Sequence, residues 1–226
     1  MSRGIELRSL IVSLRHHVLD VLIVGLFALA GFIQLQPGSW LRERWTAHRA
    51  EARVEGAART HWPELKLMST PLYHGSGSPE VVEIGDYECP FCRLSEAAVD
   101  SAVRSGVRVS FLNLPETIHL HARGAALAAI CARKVGAFAS MHEHLMTTSA
   151  WQGDSDWASI ARTSGISDTS QFTACTRAAE TASTLARELE LDQQLNVRGT
   201  PTFVTSGAIH EGVITFQELR ALNAAN

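Results

Sequence analysis

One stretch runs straight from a strand into a pair of cysteines: Val81-Val82-Glu83-Ile84-Gly85-Asp86-Tyr87-Glu88-Cys89-Pro90-Phe91-Cys92. Its opening apolar and β-branched residues predict a short buried strand. Tyr87 and Glu88 turn the corner. Pro90 takes a first helical position, where its preset φ fits and its missing N–H is not needed. From Arg93 to Ser105 the composition is helical, with Leu94, Ala98, Val99 and Val103 spaced along one apolar face. The result is two thiols at the mouth of a helix.

That placement has chemical consequences. Unpaired N–H groups at a helix N-terminus stabilise an anion. The pKa of Cys89 is therefore expected below the free value of roughly 8.5. Cys92, one turn on, lies on the same side and nearer the interior, positioned to attack a mixed disulfide formed at Cys89. A C-x-x-C alone also fits half a zinc site; strand, dithiol and helix start together select redox chemistry. Pro90 and Phe91, between the cysteines, and Asp86 and Glu88, before them, are candidate modulators. A carboxylate there holds the thiolate's pKa up or relays a proton during exchange, or is a solvated turn residue. Arg93 either favours the thiolate or covers the helix surface.

Length and charge bound the alternatives. The chain has 226 residues, net charge −3 and 46% hydrophobic residues, enough for one sizeable domain with additions. The near-neutral balance gives no argument for nucleic acid. Two of the four cysteines form the C-x-x-C, leaving Cys131 and Cys175 as a candidate structural disulfide across two helices. The alternative is two buried free thiols, since cysteine packs like a small hydrophobe. Even cysteine arithmetic favours an oxidising compartment. His119, His121, His142 and His144 invite a metal reading, but His142 and His144, two apart on a helix, diverge. His142 shares a face with Phe138, Met141 and Leu145 and reads as a core histidine. No metal site is expected.

The N-terminus agrees with an extracytoplasmic domain. Arg3, Arg8 and Arg15 precede an apolar run from Val18 to Leu35 broken only by Asp20, and no Lys or Arg follows until Arg42. The positive flank should stay in the cytoplasm. The expectation is a cytoplasmic segment 1–17 and a transmembrane or signal-anchor helix 18–36. Cleavage after Ala28-Leu29-Ala30 is the rival. Residues 37–79 read as a linker with an amphipathic helix from Trp40 to Thr60, where Trp40, Trp45, Arg42, Arg44 and Arg49 either meet lipid or face solvent. His61 to Ser78 reads as irregular, with Pro63, Pro71 and Gly75-Ser76-Gly77-Ser78-Pro79 as breakers.

The domain proper is expected over 80–224. Strand 81–86, helix 89–105 and an alternating strand 107–112 form a βαβ unit with parallel strands. From about 118 to 195 the pattern is helical, with Asp168 and Gln171 opening one helix and Thr181–Leu195 forming another. Val197-Arg198-Gly199-Thr200-Pro201-Thr202-Phe203-Val204 is a turn opening a strand at 202–205. A strand at 208–214 and a helix capped by Thr215 and Glu218 close the chain.

This order, with Asp86-Tyr87-Glu88-Cys89-Pro90-Phe91-Cys92 and Arg198-Gly199-Thr200-Pro201-Thr202-Phe203, resembles the DsbA-like thiol–disulfide oxidoreductases of the thioredoxin superfamily, over roughly residues 80 to 224. The resemblance implies an α/β thioredoxin fold carrying an inserted helical domain. It implies a cis proline at Pro201 facing the dithiol, with the Thr200 backbone binding an incoming peptide as an added strand. It further implies Cys89/Cys92 exchange with extracytoplasmic protein thiols, most readily as a disulfide-forming oxidase, without metal or organic cofactor. Reoxidation would fall to a membrane quinone-linked partner, DsbB-like or vitamin-K-epoxide-reductase-like, at the inner membrane with the domain on the periplasmic side. Two departures leave direction open: no histidine stands between the cysteines, and Thr200 also precedes the proline in reductases and isomerases. A non-catalytic, membrane-tethered peptide-binding or chaperone module is the alternative from another class.

Overall fold

The computed structural model describes residues 19–33, 40–153 and 156–224. It divides into two compact units, Met1–Ala52 and Arg53–Asn226. In the first, residues 19–33 form helix α1, whose Leu22, Phe27 and Phe32 are exposed. The segment expected at 1–17, and residues 18 and 34–36 of the expected span, lie outside the described residues. Among the described residues no helix is long and apolar enough to cross a membrane. Helix α2, Trp40–Met68, begins in this unit; the side chains of Trp40, Arg42, Trp45 and Arg49 are outside the described ones.

Helix α2 corrects the irregular segment expected from His61. It runs through Pro63 to Met68, and the chain then adds a short strand β1, Thr70–Pro71. A proline removes one helical hydrogen bond. Burial outweighs that loss, because Ala58 and Leu65 are fully buried in a cluster with Trp62 and Met68 at its margin.

The second unit is built on five strands in the order β1-β3-β2-β4-β5. Strand β2 (Val81–Gly85) runs parallel to β3 (Val109–Asn113). It runs antiparallel to β4 (Thr202–Val204), which pairs in turn with β5 (Ile209–Glu211). Between β2 and β3 lies α3, Pro90–Arg104. Strand β3 starts two residues later than its alternation suggested and is buried at every position. Arg108 lies before it, its Nη2 held 2.9 Å from Glu80. A central strand covered on both faces has no polar side to display. The strand expected at 208–214 is shorter, ending where Gly212 takes a φ of 91°.

The two faces have separate cores. Val81, Val109 and Phe203 pack with Val99 and Ala102 of α3 and Leu219 of α9 (Phe216–Ala224). Val82, Ile84, Leu112 and Val204 pack with Leu191 and Leu195 of α8 (Ala179–Leu195) and with α2. Side chains alternate along a strand, so Glu83 falls on the α3 face of β2. Each core Leu truncated to Ala here is worth about 2–5 kcal/mol.

The helical block between β3 and β4 holds α4 (Ala122–Lys134), α5 (Phe138–Thr147), α6 (Trp157–Thr163), α7 (Thr169–Thr176) and α8. Alanines keep α4 thin, and Gly124 thinner still, since a Cβ there would lie 2.9 Å from the Trp157 ring. The Asp168 carboxylate accepts from Gln171 N at 2.9 Å and starts α7. Asn196 ends α8 in the left-handed region, φ 56°. Cys131 of α4 and Cys175 of α7 form a disulfide. Ahead of α9, Glu218 accepts from Thr215 N while Thr215 Oγ1 accepts from Glu218 N, a reciprocal cap.

Candidate active site

Strand β2 delivers the dithiol. Asp86 O accepts from Cys89 N at 3.2 Å, closing the turn. Cys89 is the N-cap of α3 with Pro90 as the first helical residue. The fully buried Cys92 sits a turn deeper, its sulfur 3.4 Å from Asp86 N. Both thiols are free and belong to the same apolar cluster as Tyr87, Phe111, Phe138, Met141 and Trp151, so the insertion helps to roof the site.

The two sulfurs are electrostatically unequal. The Cys89 pKa is lowered to about 5, chiefly by a hydrogen bond from the Cys92 thiol. Against the opposing effect of burial, Thr200 and the N–H groups of Cys92 and Phe91 lower it further. Those backbone donors are the free amides of the first helical turn. Cys92 moves the other way and is pushed far up, by burial first, then by its hydrogen bond to Cys89 and the charge of Glu83.

The distant turn closes over this pair. The Thr200–Pro201 bond is cis. Cys89 Sγ lies 3.4 Å from the Thr200 carbonyl oxygen. Thr200 Oγ1 donates to Glu116 Oε1 at 3.2 Å, and Gly212 N donates to Pro201 O at 2.8 Å. Of the residues between the cysteines, Phe91 is 54% exposed.

Asp86 and Glu88 are not solvated turn carboxylates. Asp86 is buried and accepts from Glu88 N and Glu116 N, each at 2.8 Å, and from His119 Nδ1 at 2.7 Å. Glu88 accepts from His121 N at 2.7 Å and His121 Nδ1 at 3.0 Å. Burial raises the Glu88 pKa, but the His121 hydrogen bonds outweigh it and the net direction is down. Arg93 plays neither role foreseen for it. It donates to the carbonyls of Leu145 and Thr148 at 2.9 and 2.8 Å, tying α3 to the end of α5. His142 is buried, with its Nδ1 3.2 Å from Tyr87 Oη and its Nε2 3.4 Å from Glu96.

Sequence reasoning passed over Glu83. It is fully buried, and neither carboxylate oxygen has a hydrogen-bond partner. Burial first, then the charges of Glu96 and Cys89, raise its pKa well above the usual carboxylate range. Gly85 makes room for it: a Cβ there would meet the Phe111 ring at 2.6 Å and Glu83 Oε1 at 3.3 Å. A single charge inside an apolar strand run was the available signal. For His119 and Glu116 no local signal existed, because their partners lie about thirty residues away or more in the chain.

The arrangement can capture a sulfur at Cys89, release it when Cys92 attacks that mixed disulfide, and hold a proton at Glu83.

Comparison with known proteins narrows this further. The family model described as thioredoxin matches residues 74–223. The Na(+)/H(+) antiporter NhaA 3 of Salinispora tropica is 32% identical over 81% of this chain, and the chain spans 30% of that protein's length. A crystal structure of a thioredoxin-like oxidoreductase from Silicibacter pomeroyi DSS-3 is 31% identical, with a TM-score of 0.61, covering 69% of this chain and 90% of that one. The thiol-disulfide exchange protein alpha-DsbA2 from Wolbachia pipientis shares the fold, with a TM-score of 0.67 at 16% identity over 76% of this chain and 94% of that one. A strand-fed dithiol capping a helix, a cis proline across from it and a family match over two thirds of the sequence agree: this chain belongs to the thioredoxin family.

Proposed function

We propose that this protein is a thiol–disulfide oxidoreductase that forms disulfides in extracytoplasmic protein substrates. The observation that carries the reading is the split between the two thiols, Cys89 held down to about 5 and Cys92 pushed far up. A low pKa on the exchanging sulfur stabilises the reduced enzyme and makes Cys89 a good leaving group. Both favour giving a disulfide away over taking one.

In the oxidising direction a substrate thiolate attacks Cys89 of the Cys89–Cys92 disulfide. A substrate–Cys89 bond forms, and the electron pair of the broken bond leaves on Cys92, which takes up a proton. Glu83, buried near the dithiol with its pKa raised well above the usual carboxylate range, is the acid available for that proton. The second substrate thiolate then attacks its own partner sulfur. The substrate disulfide forms and Cys89 departs as a thiolate. Two electrons have moved from substrate to enzyme. Thr200 and Pro201 offer backbone to an extended substrate segment beside Cys89.

The remainder of the reading follows from the N-terminal sequence. Residues 18–36 anchor the domain in the inner membrane, facing the periplasmic side. A quinone-linked membrane enzyme reoxidises the dithiol, and tethering raises its effective concentration. No metal or organic cofactor is required. Cys131–Cys175 has a structural role.

The test is a Cys92→Ala trap. Mixed disulfides through Cys89 should accumulate with thiol-bearing proteins, and the reduction potential of the wild-type dithiol should lie well above that of thioredoxin, near −270 mV. A potential close to that of thioredoxin would replace the oxidase with a reductase. Full biological activity in Cys89→Ser would replace catalysis with peptide holding.

A further inference from the structure

Two sets of side chains that look unrelated in the sequence are joined in space. Asp86 and Glu88 precede the dithiol; His119 and His121 sit on the connection between β3 and α4. Each acid holds one histidine, Asp86–His119 at 2.7 Å and Glu88–His121 at 3.0 Å. The first pair is the more enclosed, with side-chain exposures of 17% for His119 and 0% for Asp86.

Asp86 is the hub of a ring around Cys89. Its N–H reaches Cys92 Sγ and its carbonyl accepts from Cys89 N. Its carboxylate accepts from Glu116 N and His119 Nδ1. Glu116 accepts from Thr200 Oγ1, and the Thr200 carbonyl lies against Cys89 Sγ. Because a carboxylate only accepts, His119 must carry its proton on Nδ1 when it faces Asp86. A second proton on Nε2 makes it a cation within electrostatic reach of Cys89.

We propose that His119 is a positioning residue for Cys89: its imidazolium, oriented by Asp86, supports the thiolate that leaves Cys89 when the substrate disulfide forms. This rests on the oxidoreductase reading above, and it supplies the cation missing between the cysteines. Burial lowers the His119 pKa, but Asp86, the Cys89 anion and Glu88 together leave it raised. Electrostatic coupling is reciprocal. If the Cys89 anion favours protonated His119, then protonated His119 favours the Cys89 anion by the same amount. The titrating or charged groups around His119 are Asp86, Glu88 and Cys89 from the β2–α3 turn, and Glu116 and His121 from its own segment. The Gly-Thr-Pro turn reaches this group through Thr200, whose hydroxyl donates to Glu116.

The test begins with the wild-type protein. The His119 ring is titrated by NMR in the dithiol and disulfide forms. Its pKa should fall on oxidation, because the Cys89 anion is gone; an unchanged pKa overturns the proposal. Thiolate absorbance then gives the Cys89 midpoint in variants. His119→Gln should raise it by about one unit, roughly a tenfold loss in the thiolate-to-thiol ratio at fixed pH. His119→Lys, which keeps a cation, should return most of the loss. A low midpoint indifferent to His119→Gln sinks the role of His119 alone. An ordinary midpoint in the wild type sinks the oxidoreductase reading itself.

Discussion

Cys89 and Cys92 lie three residues apart at the head of α3, while Cys131 and Cys175 lie 44 apart on α4 and α7. Both pairs border one apolar cluster. Only the second is bonded. Around Cys131 and Cys175 the polar neighbour is one hydroxyl, Thr181 Oγ1, at 3.8 and 3.5 Å. Around Cys89 and Cys92 there are helix-start amides, a peptide carbonyl and a buried acid. Reactivity therefore comes from asymmetry: one sulfur is offered donors that favour its anion, while its neighbour is buried beside an acid. A pair without that imbalance is a cross-link.

The sharpest way to break this contrast is to remove one sulfur from each pair. Cys89→Ser should reduce disulfide exchange with a model dithiol peptide to the uncatalysed background. Cys131→Ala with Cys175→Ala should leave exchange intact and lower unfolding stability by up to about 4 kcal/mol, the chain-entropy value for a ring of this length. Urea unfolding measures it, and lost exchange activity in a folded double variant would refute a purely structural bond.

Glu83→Gln tests the buried acid with a smaller effect. Formation of the mixed disulfide, the step in which Cys92 leaves and is protonated, should slow by about 10²-fold, typical of a lost general acid or base, while Cys131–Cys175 stays bonded. Stopped-flow reaction of the oxidised protein with a dithiol peptide reads it, and an unchanged rate would remove Glu83 from the mechanism.

The least dramatic effect is on pH dependence. Alkylation of Cys89 should rise with a midpoint near pH 5 and level off, whereas a free thiol has its midpoint at about pH 8.5. The same shift links to stability. A folded pKa below the unfolded value stabilises the reduced protein fully above about pH 8.5, and the gain is lost as pH falls through 5. Thermal unfolding of reduced against oxidised protein between pH 8.5 and 5 should show the reduced form losing ground. Cys92, with its raised pKa, opposes this only above about pH 8.5. A flat difference across that window would contradict the depressed Cys89.

Much of the site was legible because its signals are local. The strand, Pro90 at the first helical position and the spacing of the cysteines are neighbours in sequence, and helix-start chemistry needs nothing more. The caps at Asp168 and Thr215 were legible for the same reason. The extension of α2 past Pro63 was not, because Leu65 is buried by α8 and the sheet, well over a hundred residues later. The start of β3 was misplaced because alternation signals a half-exposed strand, and this one is covered on both sides.

By itself the sequence determined that two thiols stand at a helix N-terminus, with a second cysteine pair and a Gly-Thr-Pro turn far downstream. Capping and backbone dipoles act within one turn of chain, so residue order suffices for them. Tertiary structure alone decided that Glu83 is buried without a partner on the α3 face, and that Asp86 and Glu88 hold His119 and His121. It also decided that Thr200 closes against Cys89. Burial and charge pairing depend on distance through space, and only the fold sets which distant residues meet.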